Sequence, residues 1–322
     1  MKDIYIINLQ LFAENTNVTT DSGLSAEMKT FYDMTLIDEA SAQLVHDQFG
    51  QKRPIPKNGG KKIEFRKFAS LPKATTALTE GVTPDGKKLS VSTVEAEVLQ
   101  YGDYIVQSDV LELTALDNTI LEATKILGKQ AGLTLDTVVR DILVGGTSVQ
   151  YAGGVSGRGS LSEENTLSVE EVQKAVAFLR AQNAPTINGD YVAIIHPYAA
   201  YDLMRDEEWI EAHKYAKPEN LYAGEIGKIG GVRFVQTSEA KVLEGGVFCT
   251  MVLGEGAYGV TEITGGLETI VKQKGSSGTA DPLNQRSSVG WKAMKTAERL
   301  VENYMVRMES KGAYSSKMTE GN

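Results

Sequence analysis

The most regular pattern in the sequence lies at residues 117–144, DNTILEATKILGKQAGLTLDTVVRDILV. Apolar residues recur there mostly at steps of three and four, which is the period of one helix face. They are Ile120, Leu121, Ala123, Leu127, Ala131, Leu135, Val138, Val139 and Ile142. Asp117 is a suitable N-cap and Gly145-Gly146 a suitable stop. The pattern predicts one helix of about 40 Å, in which Gly128 and Gly132 mark either bends or close contacts.

Upstream of this helix, two segments alternate apolar and polar residues as β-strands do. The first covers residues 61–71 and the second residues 89–98, and Thr83-Pro84-Asp85-Gly86 between them is a turn signature. The pattern predicts a long β-hairpin with a polar, basic tip. Because isolated two-stranded hairpins are marginal in water, we expect this one to pack its second face against another element.

The charges in front of the helix are separated into two blocks. Residues 1–50 hold two lysines against eight acidic residues, a net of −6, whereas residues 51–90 hold ten basic against three acidic residues, a net of +7. Such blocks either pair between segments or subunits, or are independently solvated. The polar stretch 15–25 lacks periodicity, so the first fifty residues are predicted to be an extended arm with a short helix at 26–32.

Behind the helix, GGVSGRGS at 153–160 predicts a flexible connection, after which a second unit begins. Ser168 and Glu171 form a capping box that starts a helix, and Pro197 starts another. Strands are predicted at 191–195, 231–236, 247–253 and 258–263, a surface loop at 264–281, and two strands split near Glu298 within 289–308. This unit is therefore an α/β or α+β domain.

Composition excludes several classes of protein. The chain has 322 residues and a net charge of −9, which argues against a dedicated binder of duplex nucleic acid. It has no run of 18 apolar residues, so no membrane-spanning helix is expected. Asp3, Asn8 and Gln10 spoil the pattern of a signal peptide. The single cysteine, Cys249, lies in an apolar stretch and is predicted to be a buried, inert thiol, as suits a reducing compartment.

No catalytic constellation is present in the sequence. The three histidines, His46, His196 and His213, lack metal-ligand spacing, and His196 is better explained as a helix cap and His213 as an exposed residue. Residues 254–259, GEGAYG, match a dinucleotide fingerprint, but the alternation that follows predicts a strand and a hairpin turn instead of the required helix. We therefore predict no enzyme activity and no catalytic, cofactor-binding or metal-ligating residues.

Several phrases resemble the major capsid proteins of tailed bacteriophages, the family with the Hong Kong 97 fold. They are INLQLFAE at 7–14, RPIPKNGGK at 53–61, LTEGVTP at 78–84, QYGDY at 100–104, His196-Pro197 and VGWKA at 289–293. The resemblance implies an α+β capsid fold with an N-terminal arm at 1–55 and an extended β-hairpin loop at 56–107. It also implies a discontinuous peripheral domain, 108–164 plus 283–322, with the long helix as its spine, and an axial domain at 165–282.

The resemblance further implies that the chain assembles with itself into pentamers and hexamers of an icosahedral shell around packaged double-stranded DNA. It implies assembly in the bacterial cytoplasm, location in the virion, scaffold, portal and decoration proteins as further partners, no cofactor, no membrane and no sequence-specific binding of DNA. The hairpin residues expected to contact a neighbouring subunit are Lys61, Ile63, Phe65, Phe68, Lys73, Pro84, Lys87 and Lys88.

Two family features are not carried over, and two alternatives stay open. No motif selects a lysine and an asparagine for a covalent cross-link between subunits, so none is predicted. Any internal scaffold is short or is a separate protein, because the hairpin begins near residue 58. The alternatives are a cellular nanocompartment shell, which uses the same fold, and a dinucleotide-binding oxidoreductase built on residues 254–259.

Overall fold

The structure is a computed structural model that describes residues 26–55, 61–68, 71, 73–78, 80–81, 83, 85–114, 119–214, 225–262, 267–276 and 281–322. Its helices are α1 (Ala26–Gln43), α2 (Asp109–Thr114), α3 (Thr119–Val144), α4 (Val169–Ala181), α5 (Pro197–Met204) and α6 (Glu207–Lys214). Its first eight strands are β1 (Gln51–Arg53), β2 (Lys62–Phe68), β3 (Val91–Glu97), β4 (Leu99–Ser108), β5 (Val149–Tyr151), β6 (Tyr191–Ile195), β7 (Glu225–Ile229) and β8 (Val232–Gln236). The others are β9 (Val242–Leu243), β10 (Val247–Leu253), β11 (Tyr258–Thr261), β12 (Leu267–Lys272), β13 (Arg286–Lys295), β14 (Ala297–Arg299) and β15 (Met305–Ser310).

The long helix α3 is confirmed, although its expected N-cap, Asp117, lies outside the described residues. Its two glycines, Gly128 and Gly132, lie where α3 approaches helix α1 closely. A Cβ on Gly128 would lie 2.8 Å from Cβ of Glu39, and one on Gly132 would lie 2.8 Å from Cβ of Gln43, both in α1. The short helix expected at 26–32 is wrong in length: α1 runs to Gln43, because its buried residues Leu36 and Ala40 pack on this glycine face.

A three-stranded antiparallel sheet, in the order β12-β13-β4, packs against helices α1 and α3. Val289, Trp291 and Ala293 of β13 pack in the same core as Leu127 and Leu135 of α3. The surface loop expected at 264–281 is therefore wrong over Leu267–Lys272, which form β12. Leu267 and Thr269 of this strand are buried, so the alternation was present in the sequence but hidden by the flanking glycines.

The hairpin is confirmed: β2 and β3 pair antiparallel, from Lys62 opposite Glu97 to Phe68 opposite Val91. They form a two-stranded sheet of their own. The next strand, β4, pairs along its whole length with β13. The chain therefore leaves the hairpin at Val98, and β4 belongs to the sheet on α3 instead of to the hairpin loop expected to reach residue 107.

The second unit is built on a mixed sheet in the order β5-β15-β10-β6-β8-β7, with β9 beside β10. The strands predicted at 191–195 and 247–253 are confirmed as β6 and β10, and all five residues of β6 and all seven of β10 are buried. Both predicted helix starts are confirmed: Ser168 Oγ accepts from the backbone N–H of Glu171, and Pro197 is the first residue of α5. The segment 289–308 holds parts of three strands instead of two.

The C-terminal strands are divided between different sheets. β13 lies on α3, but β15 pairs antiparallel with β10 in the mixed sheet. A third sheet, β1-β11-β14, connects the segment after α1 to the strands that follow β10. Residues 254–257 turn between β10 and β11, and these two strands belong to different sheets. The turn is confirmed, but it does not close a hairpin.

Candidate assembly surfaces

The hairpin is attached to the body by its apolar face. Phe65 is fully buried and Ile63 is 5% exposed, and both pack with Leu300 and Val301. The Phe65 ring lies on Gly259, where a Cβ would overlap it. The expectation that Ile63 and Phe65 contact a neighbouring subunit is therefore corrected: burying them inside the chain provides the second face that a two-stranded hairpin needs.

The lysines among the candidate contact residues lie on the surface instead. Lys61, Lys73, Lys87 and Lys88 are exposed. The side chain of Phe68 and all of Pro84 lie outside the described residues. Lys73, Lys87 and Lys88 lie in the connection beyond the last strand pair, Phe68 and Val91, whereas Lys61 lies at the base of the hairpin. The three distal lysines are solvated in the single chain and free to contact an acidic partner.

The outer face of the β12-β13-β4 sheet carries apolar side chains that no described element covers. Tyr104 is 68% exposed, and Val106 and Met294 are also exposed. Tyr104 lies opposite Gly290, and a Cβ on Gly290 would be 2.7 Å from Cβ of Tyr104. The glycine lets the two strands approach closely beside the tyrosine, and the side chain of Tyr104 stays exposed. We call this surface the open sheet face.

Helix α2 continues this exposed apolar surface. Val110, Leu111 and Leu113 are all exposed, and Leu113 is 81% exposed. The helix follows β4 directly and begins at Asp109, whose carboxylate accepts from the N–H of Val110 at 2.8 Å. Five large apolar side chains, Tyr104 to Leu113, are therefore exposed within ten residues of chain. Large exposed apolar side chains so close together in the chain are typical of an interaction site.

A buried polar contact fixes the segment after α1. The carboxylate of Asp136 in α3 accepts from the backbone N–H groups of Val45 and His46, at 2.9 and 2.7 Å, and also lies 2.7 Å from Nδ1 of His46. Tyr258 donates its hydroxyl proton to the carbonyl oxygen of His46, and burial raises the pKa of that hydroxyl. The segment is thus attached to the spine through its backbone.

A second buried contact lies beside the first. Lys295 in β13 is fully buried and contacts the carboxylate of Asp47 and, at 2.7 Å, the carbonyl oxygen of Thr261. Burial lowers the pKa of Lys295, although Asp47 acts in the opposite direction. The sequence did not single out Asp47, Asp136 or Lys295. The one indication in the sequence was Asp136, a charged residue within an apolar helix face. Its partners could not be recognised, because they are far apart in the chain.

The glycine-rich connection is also held in place. Arg158 makes two hydrogen bonds, of 2.7 and 2.8 Å, to the fully buried carboxylate of Glu309 in β15. Two short 3-10 turns, Ala152–Gly154 and Arg158–Ser160, lie in this segment. The flexible connection expected from its composition is therefore wrong, because a two-point arginine contact fixes the segment to the sheet.

The residues considered for catalysis or cofactor binding are explained by their place in the fold. Cys249 is buried, which raises the pKa of its thiol to about 12, so it is inert as predicted. His196 caps α5, as predicted, by accepting from the N–H of Tyr198 at 3.2 Å, and burial lowers its pKa. The side chain of His213 lies outside the described residues. The residue after the glycine fingerprint, Val260, is in a strand, so no helix N-terminus is available there for a pyrophosphate.

No group of three or more His, Cys, Asp or Glu side chains in the described part of the chain is placed to hold a metal ion. The described part also contains no helix that is both long and apolar enough to cross a membrane.

Comparison with solved structures shows what the fold resembles. The chain is similar to the capsid of Ralstonia phage GP4, with 12% identity, a TM-score of 0.66 and coverage of 97% of this chain and 98% of that one. It is similar to the capsid of the cyanophage P-SCSP1u, with 13% identity, a TM-score of 0.63 and coverage of 84% and 89%. A virus-like particle from Pyrococcus furiosus also matches, at 10% identity, a TM-score of 0.53 and coverage of 88% and 99%.

At these identities the structural matches show the fold alone. No curated protein matches the chain in sequence. The sequence profile described as "Phage capsid protein", however, matches residues 74–304, which is more than half of the chain and includes β4, α2 and the spine helix. The chain belongs to the phage capsid protein family.

Proposed function

We propose that the chain is the major capsid protein of a tailed double-stranded DNA bacteriophage. Copies of it form pentamers and hexamers and close into an icosahedral shell of the Hong Kong 97 type around the genome. In this proposal the chain is divided into the arm, the hairpin loop, the peripheral domain and the axial domain expected from the sequence, with the boundaries adjusted to strand pairing. β4 and β12 are assigned to the peripheral domain, and β5 and β15 to the axial domain.

The observation that carries this proposal is the exposed apolar surface from Tyr104 to Leu113. It is formed by the outer side of β4 and by α2, within the region that matches the capsid family. A protein that works as a monomer seldom leaves so many large apolar residues in water. In a shell the same surface is buried between subunits, and its burial favours association at roughly 25 cal/mol for each Å².

The hairpin provides a second contact between subunits in this proposal. Its base is packed on its own chain through Ile63 and Phe65, so the distal lysines Lys73, Lys87 and Lys88 extend toward a neighbour. The acidic remainder of the chain offers complementary charge. Contacts between exposed charges are individually weak, so we assign them to geometry and salt dependence more than to affinity.

The net negative charge of the chain also suits a container for DNA. An inner wall that bound phosphates tightly would oppose the entry and exit of the genome. Scaffold, portal and decoration proteins are further partners in this proposal. The nanocompartment alternative is less favoured because the family match is to phage capsids. The oxidoreductase alternative lacks its helix, because residues 258–261 form β11.

The proposal is tested on purified recombinant protein by light scattering after gel filtration, with negative-stain microscopy of the same fractions. Closed shells, or rings of five or six subunits, are the expected result. A monomer or dimer at every salt concentration, also after addition of the scaffold and portal proteins from the same genome, would contradict it. Protected DNA of genome length inside particles from infected cells separates a virion from a nanocompartment.

A further inference from the structure

A surface cavity lies where the first turn of α3 meets the end of β12 and the start of β13. Its volume is about 280 Å³. A water molecule occupies about 30 Å³ in the liquid, so the cavity has room for a small ion with water around it. The cavity is on the side of the sheet that packs against α3, away from the open sheet face. Its described lining includes Ile120, Val271, Lys272, Lys274, Ser287 and Val289.

Ser287 contributes a buried hydroxyl to this lining. The residue is 6% exposed, and its hydroxyl oxygen is buried without a hydrogen-bond partner in the described part of the chain. It shares a strand face with Val289, which packs in the core with α3. A buried hydroxyl without a partner is rare in native proteins and is commonly explained by a bound water or ion. Because the side chain lines the cavity and has three staggered rotamers, it can turn its hydroxyl to a ligand there.

A polar neighbour of Ser287 is already paired with the start of α3. Gln107 of β4 lies opposite Ser287. Its amide N–H donates to the carbonyl oxygen of Thr119 at 3.1 Å, and its amide oxygen accepts from the hydroxyl of Thr119 at 3.0 Å. Thr119 is the first residue of α3. These two bonds fix the start of the helix beside the cavity and leave the serine hydroxyl for another partner.

The described lining of the cavity carries positive charge. It includes Lys272 and Lys274 and no acidic side chain. Ile120, the second residue of the 26-residue helix α3, also belongs to it. The start of a helix has N–H groups without partners inside the helix and the positive end of the dipole, and such ends bind phosphate and other oxyanions. The acidic residue in this first turn, Glu122, is paired with Lys125 at 2.8 Å.

We propose that this cavity binds a small oxyanion of the size of phosphate. Ser287 donates its hydroxyl to the anion, Lys272 balances its charge, and the first turn of α3 supplies the positive end of its dipole. Ile120, Val271 and Val289 form an apolar side of the cavity, where a lower dielectric strengthens these contacts. The anion joins the start of the spine helix to the ends of β12 and β13. The inference does not rest on the self-association proposed above.

The test uses inorganic phosphate and the full chain before assembly. Isothermal titration calorimetry at constant ionic strength compares the unaltered chain with Ser287→Ala and Lys272→Gln. We expect saturable binding to the unaltered chain, weakened roughly fivefold or more in each variant, because each loses a hydrogen bond or a charge to the anion. Equal binding by the three proteins, or no saturable binding by the unaltered chain, would overturn the inference.

Two matched controls show whether the loss is specific to the cavity. Ser310→Ala also removes a buried hydroxyl without a described partner, and Lys292→Gln removes a charge from β13. Neither residue belongs to the described lining of the cavity. Both control variants should bind phosphate as tightly as the unaltered chain. Equal weakening in the controls and in the cavity variants would overturn the inference.

Hydrogen–deuterium exchange of the unaltered chain locates the anion without any substitution. Replacing chloride by phosphate at the same ionic strength should slow exchange at the first turn of α3 and at residues 271–274, because a bound anion suppresses local opening there. Unchanged exchange at these residues, whatever happens elsewhere in the chain, would overturn the inference. This readout is independent of whether the chain forms shells.

Discussion

Asp136 holds His46 from two directions. One carboxylate oxygen accepts from the backbone N–H of His46 at 2.7 Å, and the other lies 2.7 Å from Nδ1 of the same residue. Both side chains are almost completely buried. This contact joins the segment after α1 to the middle of the spine helix, ninety residues further along the chain. It therefore fixes the C-terminal end of α1 and the segment that follows it to the spine helix.

Asp136→Ala should destabilise the unassembled subunit by about 3–5 kcal/mol, because it leaves the part-buried N–H of Val45 and the buried N–H of His46 without an acceptor. Asp136→Asn is the matched control: it keeps an oxygen for the backbone and should cost less than half as much. Urea unfolding of the unassembled subunit measures both. Equal losses in the two variants, or a loss below about 1 kcal/mol in Asp136→Ala, would contradict the role given to this carboxylate.

Gly132→Ala should cost about 1–3 kcal/mol by separating the two helices. A Cβ there would overlap the backbone of Ala40 and lie 2.8 Å from Cβ of Gln43, and backbone cannot move aside cheaply. Gly157→Ala is the control, because a Cβ at that position has open space around it. Thermal unfolding of both variants checks the difference. Equal melting temperatures would mean that α1 does not pack tightly on α3 in solution.

Periodicity in the sequence predicted the elements whose pattern is local. The spine helix, the hairpin strands and β6 all follow from apolar spacing, and Gly128 and Gly132 were recognised as bends or close contacts. β12 was missed because glycines on both sides of a six-residue strand resemble a loop. The buried pair of Lys295 and Asp47 could not be predicted, because its residues are 248 positions apart and only the fold brings them together.

Burial changed the assignment of the candidate contacts in a similar way. Ile63 and Phe65 have the spacing of an exposed hairpin face, but their partners Leu300 and Val301 lie at the other end of the chain. The exposed apolar residues of α2 were not singled out from the sequence. A six-residue helix has too few turns to show which side is covered.

Leu113→Glu should abolish shell formation without destabilising the subunit. The side chain is 81% exposed in the single chain, so a charge there costs nothing until a neighbour covers it. Leu113→Met keeps an apolar side chain of similar size and should assemble normally. Light scattering measures assembly, and urea unfolding of the unassembled subunit should agree within about 0.5 kcal/mol among the three proteins. Normal shells from Leu113→Glu would remove α2 from the proposed contacts.

Replacing Lys87 and Lys88 together by glutamine should lower particle yield and make that yield less sensitive to salt. Both lysines are exposed near the tip of the hairpin, where attraction to an acidic neighbour is screened by ions. Replacing Lys125 and Lys129 on α3 removes the same charge elsewhere and is the control. Particle yield between low and high salt is the measurement. Identical salt curves for the hairpin variant and the unaltered chain would refute the electrostatic contact.

Cys249 should not react with thiol reagents in the folded chain. Its pKa is raised to about 12 from an ordinary value of 9.0, so at pH 8 its thiolate is about a thousandfold scarcer than in the unfolded chain. Between pH 9 and 12 the unfolded chain loses this proton while the folded chain keeps it, so stability should fall as pH rises through that range. Cys249→Ala should lack this part of the decline, as urea unfolding can check. Rapid labelling of the native protein would contradict the buried position.

The most direct test of the central claim is a cryo-electron microscopy reconstruction of purified particles that resolves individual subunits. We expect an icosahedral shell in which the exposed residues from Tyr104 to Leu113 are buried between copies and Lys73, Lys87 and Lys88 reach a neighbouring subunit. Particles that leave Tyr104 and Leu113 exposed to solvent, with each hairpin contacting only its own chain, would contradict the account.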